Sequence, residues 1–307
     1  MIKITLIILQ LAFFIIVAPF LSGLITRLKN NFRMRRGQSV FQPYYNLMKL
    51  FSKGQVVSET ASWIFRVAPF IVVSSILTVA LLIPVFIFSN PLYRMSDFLA
   101  IIFIFSLGRF FLALAALDAG SSFGGMGSSR EMFVSSLVEP ALCLVVFSLY
   151  MQFGSTDIFL FNGQHAISAA SIIGAVALFL IALAETSRIP VDNQETHLEL
   201  TMVHEAMVLE YSGRSLALIE LSLYIKQMIW FFLIAQIIFP IAAPGAINSA
   251  CLFLWWAWYL ARIFIIVLAV ALVEVLVAKM RLFRVADFLG FVFVLGVIAA
   301  ICAILGV

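Results

Sequence analysis

Charge is scarce in this sequence. Only 11% of its 307 residues are Asp, Glu, Lys or Arg, while 64% are apolar. A soluble domain carries about 25% charged residues, so a water-soluble globular protein is excluded. Cysteine is scarcer still. Cys143, Cys251 and Cys302 each lie alone inside an apolar run, with no CxxC spacing and no histidine neighbour. That pattern gives neither a zinc site nor an iron–sulfur cluster, and the three are read as small core or lipid-facing residues. A phosphate-binding loop is also missing. Gly120-Ser121-Ser122-Phe123-Gly124-Gly125-Met126-Gly127-Ser128-Ser129-Arg130 is glycine-rich but has no lysine in the phosphate position and follows no strand. It is expected to form a tight turn packed against neighbouring loops. No nucleic-acid partner is expected.

What the chain does have is long apolar runs. A hydrocarbon core about 30 Å thick needs about 20 apolar residues of helix. Eight segments qualify, near residues 4–26, 66–89, 97–118, 131–152, 168–187, 216–243, 250–274 and 286–306. The expected fold is all-α, an eight-transmembrane-helix bundle forming one integral membrane domain over residues 1–307. The first segment has no small-residue cleavage site and ends at a basic cluster instead of starting from one, so it is read as a retained helix and not a signal peptide.

Lys and Arg orient the bundle. The loop after the first segment carries Arg27, Lys29, Arg33, Arg35, Arg36, Lys49 and Lys53. The loops after segments three, five and seven add Arg130, then Arg188 and Arg214, then Lys279, Arg281 and Arg284, whereas the opposite side has only Lys3 and Arg94. The positive-inside rule puts the basic loops in the cytoplasm and both termini on the outer face. Arg33, Arg35 and Arg36 are candidates for docking a soluble partner, with anionic lipid as the alternative.

An ionisable group at bilayer depth costs at least ~2.5–3.5 kcal/mol on insertion scales and usually faces the bundle interior. Arg109 lies in segment three, and Glu139 lies in segment four just before Pro140. Glu185 ends segment five, Glu220 and Lys226 are in segment six, and Arg262 and Glu274 are in segment seven. Each could be a structural ion pair or a snorkelling side chain. Together, both signs on consecutive spans suit a proton or ion relay across the bundle.

The acids gather most densely between Ala184 and Gly213. This stretch holds Glu185, Asp192, Glu195, Glu199, Glu205 and Glu210, with His197 and His204. Glu185 and Arg188 are three apart, a spacing that on a helix lets them pair. Pro190 ends the helix. Glu195 and Glu199 are four apart and would share one face of a short helix. His204-Glu205 begins like a zinc-protease motif, but the second histidine would have to stand where Val208 does. Tyr211 and Ser212 show no nucleophile spacing.

Read whole, Ala184-Glu185-Thr186-Ser187-Arg188-Ile189-Pro190-Val191-Asp192, with Glu195, Glu199-Leu200 and Glu210-Tyr211-Ser212-Gly213, resembles the signature of the NuoH-type subunit of respiratory complex I. Arg35-Arg36-Gly37, Gln42-Pro43 and Lys49-Leu50 are similar to that family's first cytoplasmic loop. His197 stands where complex I has another Glu, and the segment before Glu210 is longer. That wording, with Ser129-Arg130-Glu131 and Glu139-Pro140, resembles the membrane subunits of energy-converting group 4 nickel–iron hydrogenases, hydrogenase-4 and formate hydrogenlyase. The resemblance implies a non-catalytic subunit that anchors a redox arm and couples it to H+ or Na+ translocation in the cell inner membrane. It implies no cofactor in this chain. A nickel–iron centre and iron–sulfur clusters would sit in partners: hydrogenase large and small subunits and an iron–sulfur subunit, beside antiporter-like membrane subunits. The relay would comprise Arg109, Glu139, Glu185, Glu195, Glu199, Glu210, Glu220, Lys226, Arg262 and Glu274. The coupling loop would comprise Arg188, Asp192, His197, His204, Glu205 and Tyr211. The alternative implied is the quinone-chamber subunit of an NADH:quinone oxidoreductase.

Overall fold

The computed structural model describes residues 2–58, 60–83, 96–158, 168–192, 202–239 and 249–306. Its helices are α1 (Ile2–Phe32), α2 (Gln42–Ser52), α3 (Trp63–Leu82), α4 (Phe98–Asp118), α5 (Ser122–Phe153), α6 (Ala169–Glu185), α7 (His204–Val208), α8 (Gly213–Ile238), α9 (Ser249–Leu276) and α10 (Leu282–Leu305). Among the described residues no strand forms, and one isolated bridge joins Asp97 to Asp157. The long helices follow the eight apolar runs. Among the described residues six of them, α1, α3, α4, α5, α8 and α10, are long and apolar enough to cross a membrane. α6 is a shorter apolar helix of 17 residues, and α9 runs for 28. The chain is a multi-pass membrane protein.

Side chains set the helix ends. Ser62 caps α3 and Asp97 caps α4, each side chain accepting a first-turn amide, as orphan helix donors require. Asp118 at the end of α4 accepts the Ser62 amide and hydroxyl, both at 2.8 Å, and so ties α4 to the start of α3.

After a turn at Gly120, where φ is +69°, the glycine-rich stretch is helical. From Ser122 onward it forms the first turns of α5, which therefore does not start near residue 131. Ser121 caps it by accepting the Gly124 amide. Glycine is a poor helix former, but here the missing side chains let neighbours approach. A Cβ on Gly124 would lie 2.5 Å from the Ala116 carbonyl, and one on Gly127 would lie 2.9 Å from the Ala206 Cβ. Close packing therefore overrides propensity. α5 also runs through Pro140 without a break.

α3, α4, α5, α6 and α8 each pack on the next, and α8 returns to α3, so five helices close a ring. α10 covers α5 and α6, while α1 lies on α8 and α9 lies on α1. The short α7 sits against α5 and α4 at one end of the ring. Phe105 stacks on Trp230 inside it, centroids 5.7 Å apart. Helices in a bilayer gain little from apolar burial and are held by packing and interhelical polar contacts. The polar contacts inside this ring are therefore the place to look for both cohesion and chemistry.

Candidate functional site

The site begins where α6 stops. At 1.5 Å per residue its 17 residues span roughly 25 Å, less than the bilayer core. Its end is closed by a turn in which the Arg188 amide donates to the Leu183 carbonyl at 2.9 Å and the Ser187 amide donates to Ala184 at 3.2 Å. Ser187 takes φ +51° there. The chain leaves the helix path, so the spacing argument for a Glu185–Arg188 pair fails. The two side chains enter different clusters.

Glu185 lies between two cations. One carboxylate oxygen is 2.9 Å from Arg109 Nη2 on α4, and the other is 2.7 Å from Lys226 Nζ on α8. Arg109 also donates to the Ser135 hydroxyl and lies 4.0 Å from Glu139 on α5. Glu139 accepts the Ser106 hydroxyl at 2.9 Å, and its side chain is 46% exposed. It is thus not the interior carboxylate that its depth in segment four suggested. Arg109 is its cation, and it stands at the edge of the bundle. Lys226, Glu185, Arg109 and Glu139 together form an ion chain from the ring's interior to its lateral face. Lys226 is 13 residues into α8 and Arg109 is nine from the end of α4, placing the chain roughly 14–20 Å below that end of the bundle.

A cavity of about 30 Å³ adjoins this chain, lined by Arg109, Glu131, His204, Lys226, Ser75 and Ser222 among others. Sequence reasoning missed Glu131. With the helix boundary drawn near residue 131, it looked like an interfacial residue. With α5 starting at Ser122, it is nine residues inside. The signal that could have found it is the serine cap at Ser121, followed by glycines spaced for close packing.

Asp192 closes the acidic loop. One oxygen pairs with Lys279 at 2.8 Å, and the other accepts the amides of Val203 and His204 at 3.2 and 3.3 Å. Arg130 grips the same neck through the Met202 carbonyl at 2.8 Å. Glu195, His197 and Glu199 lie outside the described residues. Burial pushes the His204 imidazole below its ordinary pKa, keeping it neutral. Glu205 is half-buried and Glu210 exposed. Tyr211 stacks on Phe65 with centroids 4.0 Å apart and donates to the Phe65 carbonyl at 3.0 Å, so it fastens α7 to α3.

Arg188 belongs to the second cluster. It reaches Glu274 on α9 at 3.0 Å, Gln227 on α8 at 2.9 Å and Ser22 on α1 at 3.2 Å. Lys29 on α1 is 3.3 Å from the same Glu274 carboxylate. Arg33 donates to the Glu274 backbone carbonyl at 3.0 Å, so that arginine is already engaged within the chain. Arg35 and Arg36 are exposed, and with Arg27 they rim an open basin of about 570 Å³. Arg262 stands apart from both clusters and donates to the Phe239 carbonyl at the far end of α8. Glu220 is half-buried on α8, six residues before Lys226. Among the described residues no group of three or more His, Cys, Asp or Glu side chains is placed to hold a metal ion.

The family model described as NADH dehydrogenase matches residues 4–305. The chain belongs to that family. Within it, the chain is 30% identical to hydrogenase-4 component C of Escherichia coli (strain K12), over 89% of this chain and 87% of that protein. It is 29% identical to formate hydrogenlyase subunit 4 of the same organism, over 87% of each. NADH-quinone oxidoreductase subunit 8 of Rhodothermus marinus is 28% identical over 64% of this chain and 60% of that one. A chain of the membrane-bound sulfane sulfur reductase, an archaeal respiratory membrane complex, superposes with a TM-score of 0.78 at 17% identity, covering 97% of this chain and 99% of that one. That likeness shows the fold.

Proposed function

We propose that this family member is the membrane anchor and coupling subunit of a redox-driven ion-pumping complex, an energy-converting nickel–iron hydrogenase. The similarity to hydrogenase-4 component C and formate hydrogenlyase subunit 4 along nearly the whole chain supports the hydrogenase assignment. The observation that carries the coupling role is the ion chain from Lys226 through Glu185 and Arg109 to Glu139. An ionisable chain deep in a bilayer is costly. One that ends at a half-exposed carboxylate is built to hand charge sideways and not merely to brace helices.

A nickel–iron centre and iron–sulfur clusters would reside in partner subunits and supply the redox chemistry there. The basic side faces the cytoplasm in the cell inner membrane, with both termini on the outer face. Arg35 and Arg36 hold the soluble arm there. A change at the arm alters the acidic loop, whose neck is fastened by Asp192, Lys279 and Arg130. Glu185 then exchanges its partners, and the changed charge passes through Arg109 to Glu139 and on to antiporter-like membrane subunits. The alternative is a quinone-linked complex, supported by the shorter match to NADH-quinone oxidoreductase subunit 8.

Purifying the chain with its partners separates the two: hydrogenase subunits support this reading, and a flavin-bearing dehydrogenase arm overturns it. In the assembled complex, Glu139→Gln keeps shape and hydrogen bonding but removes titration. Ion uptake into inverted vesicles is expected to fall about tenfold, near 1.4 kcal/mol, with hydrogen evolution in detergent retained. Normal uptake by that variant removes Glu139 from the relay.

A further inference from the structure

The cavity between α3, α4, α5, α7 and α8 has a chemical character that the ion chain alone does not use. Into a largely apolar wall it brings a half-buried carboxylate (Glu131), two cations (Arg109 and Lys226), two hydroxyl residues (Ser75 and Ser222) and one imidazole (His204). Its volume, about 30 Å³, suffices for roughly one or two waters, and its polar lining can hydrogen-bond them. The polar groups stand together on this wall, which is what a cavity water needs for its two to four hydrogen bonds.

His204 is the wall of this cavity on the loop side. It is the first residue of α7, and its backbone amide donates to Asp192 at 3.3 Å. Asp192 is in turn paired with Lys279, and Arg130 holds the adjoining Met202 carbonyl. The imidazole is therefore set over the cavity by the same contacts that close the acidic loop. The groups acting on it and on Glu131 come from every side. Arg109 is on α4, Glu185 on α6, Asp192 in the turn after it, Glu205 on α7 and Lys226 on α8.

We propose that His204 is the gate through which protons pass between the acidic loop and a hydrated cavity whose proton-holding group is Glu131, with Asp192 positioning the gate. The step is a proton transfer only. One ring nitrogen of neutral His204 takes a proton from the loop side. The other releases one to a cavity water, and that water passes one to the Glu131 carboxylate. The chain gains one proton from the loop side, and no electron moves. This rests on the coupling reading above but names an access point for it that lies outside the ion chain.

Two measurements test it, and the first does not depend on pumping. His165, His197 and His204 are the three histidines of the chain. In a His165→Gln/His197→Gln background, carbethoxylation by diethyl pyrocarbonate reports water access to His204 alone, read by mass spectrometry on the purified complex. Protection is expected in that background, with modification rising at least about tenfold when Asp192→Ala is added. Equal modification in the two overturns the gate, whether or not the complex pumps. The second measurement is the pH profile of proton uptake by inverted vesicles. His204→Gln is expected to remove one limb of the profile and slow uptake about tenfold. Ser222→Leu, which fills the cavity but leaves every charge in place, is expected to slow it comparably. An assembled His204→Gln complex with an unchanged profile overturns the proposal while leaving the ion chain standing. A complex that pumps normally with Ser222→Leu shows that no water path crosses the cavity, which also overturns it.

Discussion

Glu185 and Arg188 are three residues apart and live in unlike surroundings. Glu185 sits among Arg109, Lys226, Glu131 and Glu139, beside a cavity and near a lateral face. Arg188 is packed with Glu274, Lys29, Gln227 and Ser22, where four structural elements meet. In the first cluster carboxylates outnumber cations, Arg109 lies against both Glu185 and Glu139, and Glu185 against both Arg109 and Lys226. In the second, one carboxylate serves two cations, and its arginine spends both terminal nitrogens on fixed partners. The difference teaches how one turn can serve both cohesion and transport. The Arg188 side fastens α1, α8 and α9 to the end of α6, and the Glu185 side keeps groups that can trade partners.

The contrast can be broken most directly at Glu274. Glu274→Gln leaves Lys29 and Arg188 buried without a counter-charge, which costs about 3–5 kcal/mol. Thermal unfolding in detergent should show that loss, with little subunit recovered from membranes. Glu185→Gln should differ in kind. Arg109 keeps Glu139 and the Ser135 hydroxyl, and Lys226 keeps Glu131 in the shared cavity wall, so the subunit assembles. Ion translocation falls about tenfold, near 1.4 kcal/mol. Equal destabilisation by the two substitutions would erase the distinction.

A weaker effect is expected at the basic basin. Reversing Arg35 and Arg36 to Glu should loosen the soluble arm several-fold, about 1 kcal/mol, with the loss shrinking at high salt. Membrane insertion should be unchanged. Arg33→Gln should instead act on stability, because Arg33 is bonded to the Glu274 carbonyl. Release of the arm by Arg33→Gln alone would reverse that assignment.

The smallest effect is a slope. The folded pKa of His204 is depressed by burial below the ordinary 6.5. Above 6.5 the imidazole is neutral in folded and unfolded chains alike, and its full contribution is present. As pH falls through 6.5 the unfolded chain takes up a proton first, so stability declines toward the folded pKa. His204→Gln should flatten that part of the stability profile. An identical slope in wild type and variant would place the titration elsewhere.

The helices were legible because a span needs length and apolarity, and eight runs supply both. Their ends were less so. The start of α5 was obscured because glycine and serine read as turn residues, and only the approach of Ala116 and Ala206 shows why they are helical there. α2 and α7 are too short for a periodic signal. At the site, charge at bilayer depth picked out Arg109, Glu139, Glu185 and Lys226, and the structure brings them together. Spacing failed for Glu185 and Arg188 because the turn at Ser187 breaks the helical geometry on which spacing depends. Arg262 could not be told from the relay set by sequence, since depth alone does not say which neighbour a side chain meets.

The fastening of the loop neck bears on how the chain takes a change of loop length. Asp192 joins Val203 and His204 directly, so the two ends of the loop are held together at its neck. Once both ends are pinned, doubling the intervening length adds only about 0.6 kcal/mol of closure entropy. A change of length between Asp192 and Val203 is therefore expected to leave the start of α7 in place, because the contacts that hold it are made at the neck itself.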